Sequence, residues 1–109
     1  MIKKFGTIEQ LSELTTEQLC TLSEKCHIRS SKDIDKDEKS LYDFKKFMKS
    51  QINIGGLIQL LMNEGCDISW NYDASMPTQS LIVDGKEFKD VEFYECLWQA
   101  VKYFVLEIK

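Results

Sequence analysis

The chain has 109 residues, 43% hydrophobic and 29% charged, with a formal net charge of −4, a size that buries roughly two thirds of its unfolded surface without disulfide staples. A single proline and this ordinary apolar content exclude a disordered or low-complexity chain. No apolar run reaches the ~18 residues of a membrane span, and the start MIKKFGTIEQL has no apolar stretch behind its charges, so a cytoplasmic protein without membrane contact is expected.

Two helix starts come first. Thr7 with Gln10 and Thr15 with Gln18 both fit the capping box, in which a threonine hydroxyl accepts from the N3 amide and the N3 side chain reaches back. A short turn of helix is predicted over 8 to 13 and a longer helix over 16 to 27, where Leu19, Leu22 and Cys26 make one narrow apolar face. Residues 29 to 37 alternate charge with serine around a single apolar Ile34 and read as a connection.

The helical period returns at Glu38, with Leu41, Phe44, Phe47 or Met48, and Gln51 or Ile52 on one face. Gly55-Gly56 then predicts a break, because two adjacent glycines inside a helix cost about 2 kcal/mol relative to alanine. A further helix over 57 to 64 stops at Gly65, a residue suited to the left-handed conformation that ends helices.

After Gly65 the period becomes two. Cys66, Ile68, Trp70 and Tyr72 share one strand face, and Asp67, Ser69, Asn71 and Asp73 share the other, which predicts a strand with one wet side. ASMPT makes a turn around Pro77. A second strand over 79 to 83 leads into Asp84-Gly85, the dipeptide of a type I′ hairpin, and a short third strand over 86 to 88 follows. Asp90 is placed to cap a last helix over 91 to 107, whose stripe of Tyr94, Leu97, Trp98, Val101, Phe104 or Val105, and Ile108 should lie on the inner face of the sheet with Trp70 and Tyr72.

The fold class expected is therefore α+β: a small antiparallel sheet of two or three strands, packed by the C-terminal helix and by the N-terminal helices. One domain over 1–109 is expected, helical over 7–64 and strand-hairpin-helix over 65–109.

Candidate sites are weak. DIDKDEKSLYDF puts Asp33, Asp35 and Asp37 at calcium-loop spacing, but the places that need glycine, an apolar residue and a glutamate hold Glu38, Ser40 and Phe44. A solvated linker whose acids favour the next helix N-terminus fits better. Cys20, Cys26 and His27 lack the paired-cluster spacing of zinc, with no second cluster in the chain. No metal and no cofactor is expected. The four cysteines, Cys20, Cys26, Cys66 and Cys96, read as free packing thiols; a cysteine nucleophile using the one histidine, His27, is the best enzyme reading, and nothing in the sequence activates it. Gly55-Gly56 lacks the lysine pattern of a phosphate loop. Residues 29 to 49 carry +2 and the remainder −6, a balance that disfavours nonspecific DNA binding.

From Leu57 to Val105, LIQLLMNEG feeds CDISWNY and the chain ends in ECLWQAVKYFV. That order of helix, glycine, strand, hairpin, strand and helix resembles the small α-β-α sandwich domains encoded by tailed phages and prophages. The resemblance implies an accessory protein of phage or mobile-element origin with no known chemistry, and it carries over no functional residue.

The functional expectation is a non-enzymatic protein acting through protein–protein contacts, with the wet strand face Asp67, Ser69, Asn71 and Asp73 as contact surface and Phe93 and Tyr103 as the aromatics to watch for exposure. The alternative is a small acidic inhibitor or immunity protein blocking a basic partner, and the third a cysteine-dependent enzyme. The partner is unknown, and monomer and homodimer are both open.

Overall fold

A computed structural model describes all residues except 1–4, 29–36, 72–74, 76 and 109. The expected connection at 29 to 36, with Asp33 and Asp35, and the strand positions Tyr72 and Asp73 lie outside the described residues. The described chain is α+β, with helices α1 (Ile8–Ser12), α2 (Thr16–Lys25), α3 (Glu38–Gln51), α4 (Ile54–Asn63) and α5 (Phe93–Phe104) and strands β1 (Ile68–Asn71), β2 (Gln79–Val83) and β3 (Lys86–Asp90). It divides into two compact units at a point inside α4, between Gly56 and Leu57.

In the unit from Phe5 to Gly56, both capping boxes form. Thr7 Oγ1 accepts from the Gln10 amide at 3.1 Å while Gln10 Oε1 accepts from the Thr7 amide at 3.2 Å; Thr15 and Gln18 repeat the pattern. The narrow stripe expected on α2 is wider, with Leu19, Cys20, Leu22 and Ser23 all buried and Cys26 half-buried. This helix stops in a Schellman turn: His27, at φ 56°, donates to the Glu24 carbonyl, and Ile28 donates to Ser23.

Helix α3 begins at Asp37, whose carboxylate accepts from the amides of Lys39 and Ser40 at 3.1 Å each and from the Ser40 hydroxyl at 2.6 Å. These bonds, the Ser40 hydroxyl foremost, hold its pKa below the ordinary value. One face of α3 buries Phe44 and Met48, followed by Ile52, while Phe47 is exposed. The Gly6 amide donates to the Lys49 carbonyl at 2.9 Å, which ties the start of the described chain to the end of α3.

The helix break lies at Ile52-Asn53 and not at Gly55-Gly56, which are the second and third residues of α4. Asn53 Oδ1 accepts from the Gly56 amide at 2.8 Å, the bond of an N-cap. A Cβ on Gly56 would stand 3.1 Å from the Gln51 carbonyl oxygen, so this glycine permits the close approach that turns the chain.

In the unit holding Leu57–Lys109, α4 ends as expected in a Schellman turn, with Gly65 at φ 78° donating to Met62 and Cys66 donating to Leu61. The strands form an antiparallel meander in the order β1-β2-β3, and the Asp84-Gly85 turn has both residues at positive φ, 50° and 82°, as a type I′ hairpin requires. β3 runs two residues past its expected end. Asp90 therefore belongs to the strand and does not cap α5: Glu92 is the cap, without a side-chain bond, and Asp90 instead accepts from the Glu92 amide and from Gln99 Nε2.

The register Leu81↔Phe88 and Trp70↔Leu81 puts these side chains on one sheet face, where α5 packs. Leu81, Val83, Tyr94, Leu97, Trp98 and Val101 are at most 1% exposed, and each aliphatic member contributes roughly 1.5–3 kcal/mol by burial. Trp98 Nε1 is buried without a hydrogen-bond partner among the described residues. No described helix is long and apolar enough to cross a membrane.

Candidate functional site

Sheet pairing lays out the wet face row by row. Ser69, Ile82 and Glu87 stand opposite one another, as do Asn71, Ser80 and Lys89. Ser80 Oγ donates to Glu87 Oε2 at 2.7 Å, and the Lys89 ammonium lies 3.4 Å from Glu87 Oε1. The Ser80 bond first, with Lys89 behind it, lowers the Glu87 pKa. Ser69 and Asn71 are exposed, as expected, on the same face as the Ser80–Glu87–Lys89 set.

Asp67 is exposed as well, but its backbone is committed to the hairpin. Its amide donates to Asp84 Oδ1 at 2.7 Å and its carbonyl accepts from the Asp84 amide at 2.9 Å. The aspartate of the turn therefore does two jobs, taking a positive φ and fastening the start of β1.

The described aromatic residues of this unit separate into three places. Trp98 and Tyr94 are core. Tyr103, half-buried, joins Phe88 and Phe104 in an edge-to-face cluster with centroids 4.8–6.2 Å apart, and Lys86 Nζ lies 4.7 Å from the Tyr103 ring. Phe93, also half-buried, meets Trp70 at 4.9 Å with the rings tilted by 36°.

Trp70 is 54% exposed, a departure from the inner-face packing expected of it. The face is right, because Trp70 pairs with buried Leu81; among the described strands, however, β1 stands at an edge of the sheet, where Phe93 of α5 meets the indole. Chain order carried this signal: in a three-stranded meander the first strand is always at an edge.

All four cysteines are free thiols. Burial pushes Cys26 up to about 11, Cys66 is raised by burial and then by Asp84, and Cys96 by burial and then by Asp90. Cys96 donates to the Gln79 carbonyl at 3.7 Å. His27 is exposed at the helix stop. Among the described residues no group of three or more His, Cys, Asp or Glu side chains could hold a metal ion. An open groove of about 440 Å³ beside Phe5, Glu9 and Lys49 carries two hydroxyls, Thr7, which is used by the capping box, and Ser50, which donates to the Phe47 carbonyl at 3.1 Å.

No family model matches the chain, and no curated protein or solved structure is similar to it.

Proposed function

We propose that the chain is a non-enzymatic binding protein, an accessory protein of phage or mobile-element kind that works in the cytoplasm through protein–protein contacts. The observation that carries this reading is Trp70, half exposed on an edge strand and braced by Phe93 at 4.9 Å. A large ring braced by Phe93 at the side of the sheet suits the centre of an interface, where tryptophan is over-represented among residues that dominate affinity. The contact surface is the strand segment 67–71, with Trp70 and Phe93 on its α5 side and the expected residues Asp67, Ser69 and Asn71 on its wet side.

The raised thiols support a non-catalytic role. Cys26, Cys66 and Cys96 stay protonated near neutral pH, whereas nucleophilic cysteines need the thiolate. The acidic-inhibitor alternative has less support, because the carboxylates of Asp84, Glu87 and Asp90 are bonded within the unit.

The test is a native pull-down from source cells with wild type and Trp70→Ala in parallel, at low and high salt. A partner held by wild type at both salts and released by Trp70→Ala, with affinity reduced by at least about thirtyfold, is the expected result. A partner indifferent to Trp70→Ala and lost at high salt would replace this reading with the acidic inhibitor.

A further inference from the structure

We infer that β3 is a self-complementary edge and that a second copy of the chain adds to it, antiparallel, about a two-fold axis at Phe88. The inference is independent of the Trp70 surface, which lies on the opposite edge of the sheet.

Backbone geometry sets which groups are offered. The two-residue turn Asp84-Gly85 makes Val83 and Lys86 the hydrogen-bonded pair that closes the hairpin. Alternation along an antiparallel ladder then turns the N–H and C=O groups of Lys86, Phe88 and Asp90 toward β2, and those of Glu87 and Lys89 outward. β3 has one strand neighbour among the described residues, and among them its outward groups face no other strand.

Charge sets the register. Only pairings that place outward groups against outward groups can form a ladder. Centring on Phe88 sets Glu87 against Lys89 of the second copy, and Lys89 against its Glu87, both as hydrogen-bonded pairs on the wet face. The same register sets Lys86 against Asp90 on the other face. The two neighbouring allowed registers put Glu87 on Glu87, or Lys89 on Lys89, and like charges directly opposed are unfavourable.

KEFKD thus reads as its own complement. The charges that normally blunt an edge strand against foreign strands here exclude all but one partner and one alignment. β1, with the sequence ISWN, has no such pattern. Glu87 and Lys89 already meet within one strand at 3.4 Å, with 48% and 59% of their side chains exposed; pairing exchanges that bridge for two across the seam. Phe88, with Tyr103 and Phe104 beside it, lies on the axis. An isologous contact of this kind closes at two copies and yields one six-stranded sheet.

The test is sedimentation of the full chain over a concentration series reaching the millimolar range, joined to amide exchange. Wild type is expected to dimerise, more weakly at high salt. Glu87→Lys alone and Lys89→Glu alone should each raise the dimer Kd by about tenfold or more, and the double swap Glu87→Lys/Lys89→Glu, which preserves the complement, should restore it. Glu87 and Lys89 amides should gain protection with concentration, while Lys86, Phe88 and Asp90 amides stay protected throughout. A wild type that is monomeric across the series overturns the inference. So does a dimer indifferent to both single reversals, or one that the double swap fails to restore.

Discussion

His27 and Gly65 hold the same place in the same kind of helix stop, at φ 56° and 78°, and only Gly65 is free of a Cβ. A side chain in the left-handed region is strained, by roughly 1–2 kcal/mol, although glycine gives part of that back through greater freedom in the unfolded chain. His27→Gly should therefore raise the unfolding free energy by roughly 0.5–1 kcal/mol, seen as a higher urea midpoint at unchanged slope. No gain would mean that the exposed imidazole makes a compensating contact. Asp37 gives a pH signature. Its folded pKa is depressed below 3.8, first by the Ser40 hydroxyl, so its stabilising effect is complete above the unfolded value and is lost as pH falls through the folded one. Asp37→Asn keeps a capping oxygen and should flatten that acid limb; an acid titration of helicity that matches wild type would refute the assignment. Capping boxes and the Asp-Gly turn were legible residue by residue, because each is a local bond between neighbours in sequence. His27 was not, since nothing local distinguishes a histidine that ends a helix in the left-handed region.

At the scale of elements, the Gly55-Gly56 pair marks the α3–α4 corner without being the break itself. Propensity penalises glycine in a helix interior, but in the first turn the amides have no intrahelical acceptor anyway, and Asn53 supplies one to Gly56. The two glycines should respond oppositely to alanine. At Gly55 a Cβ would meet only Asn53 Oδ1 at 3.5 Å, whereas at Gly56 it would press on the Gln51 carbonyl at 3.1 Å. Gly55→Ala should stabilise by up to about 1 kcal/mol, and Gly56→Ala should be the less stable of the two by a similar amount; equal melting temperatures would show that the corner yields. β1 and α5 teach a related lesson. Their periodicities named the correct inner faces, yet Asp90 was absorbed into β3, because pairing with Gln79 extends a strand through a residue that local rules assign to a helix cap.

For the whole molecule, the thiols report on packing. Cys20 and Cys96 are at most 5% exposed, and Cys26 and Cys66 are half-buried, so all four should react slowly with a thiol reagent at neutral pH and rapidly once the chain is unfolded in denaturant. Cys26, raised to about 11, should still be gaining rate with pH well above the range where an ordinary thiol has levelled. A single fast cysteine in native buffer would reopen the catalytic reading. The sequence by itself determined the two capping boxes, the helix stop at Gly65, the hairpin, the alternating faces and the α+β class, since these depend on bonds and periodicities within a few residues. Only the tertiary structure decided how much of each strand α5 covers, and with that the exposure of Trp70 and the burial of Leu81. Alternation in a sequence tells which way a side chain points; whether anything lies beyond it depends on the neighbour that the fold places there.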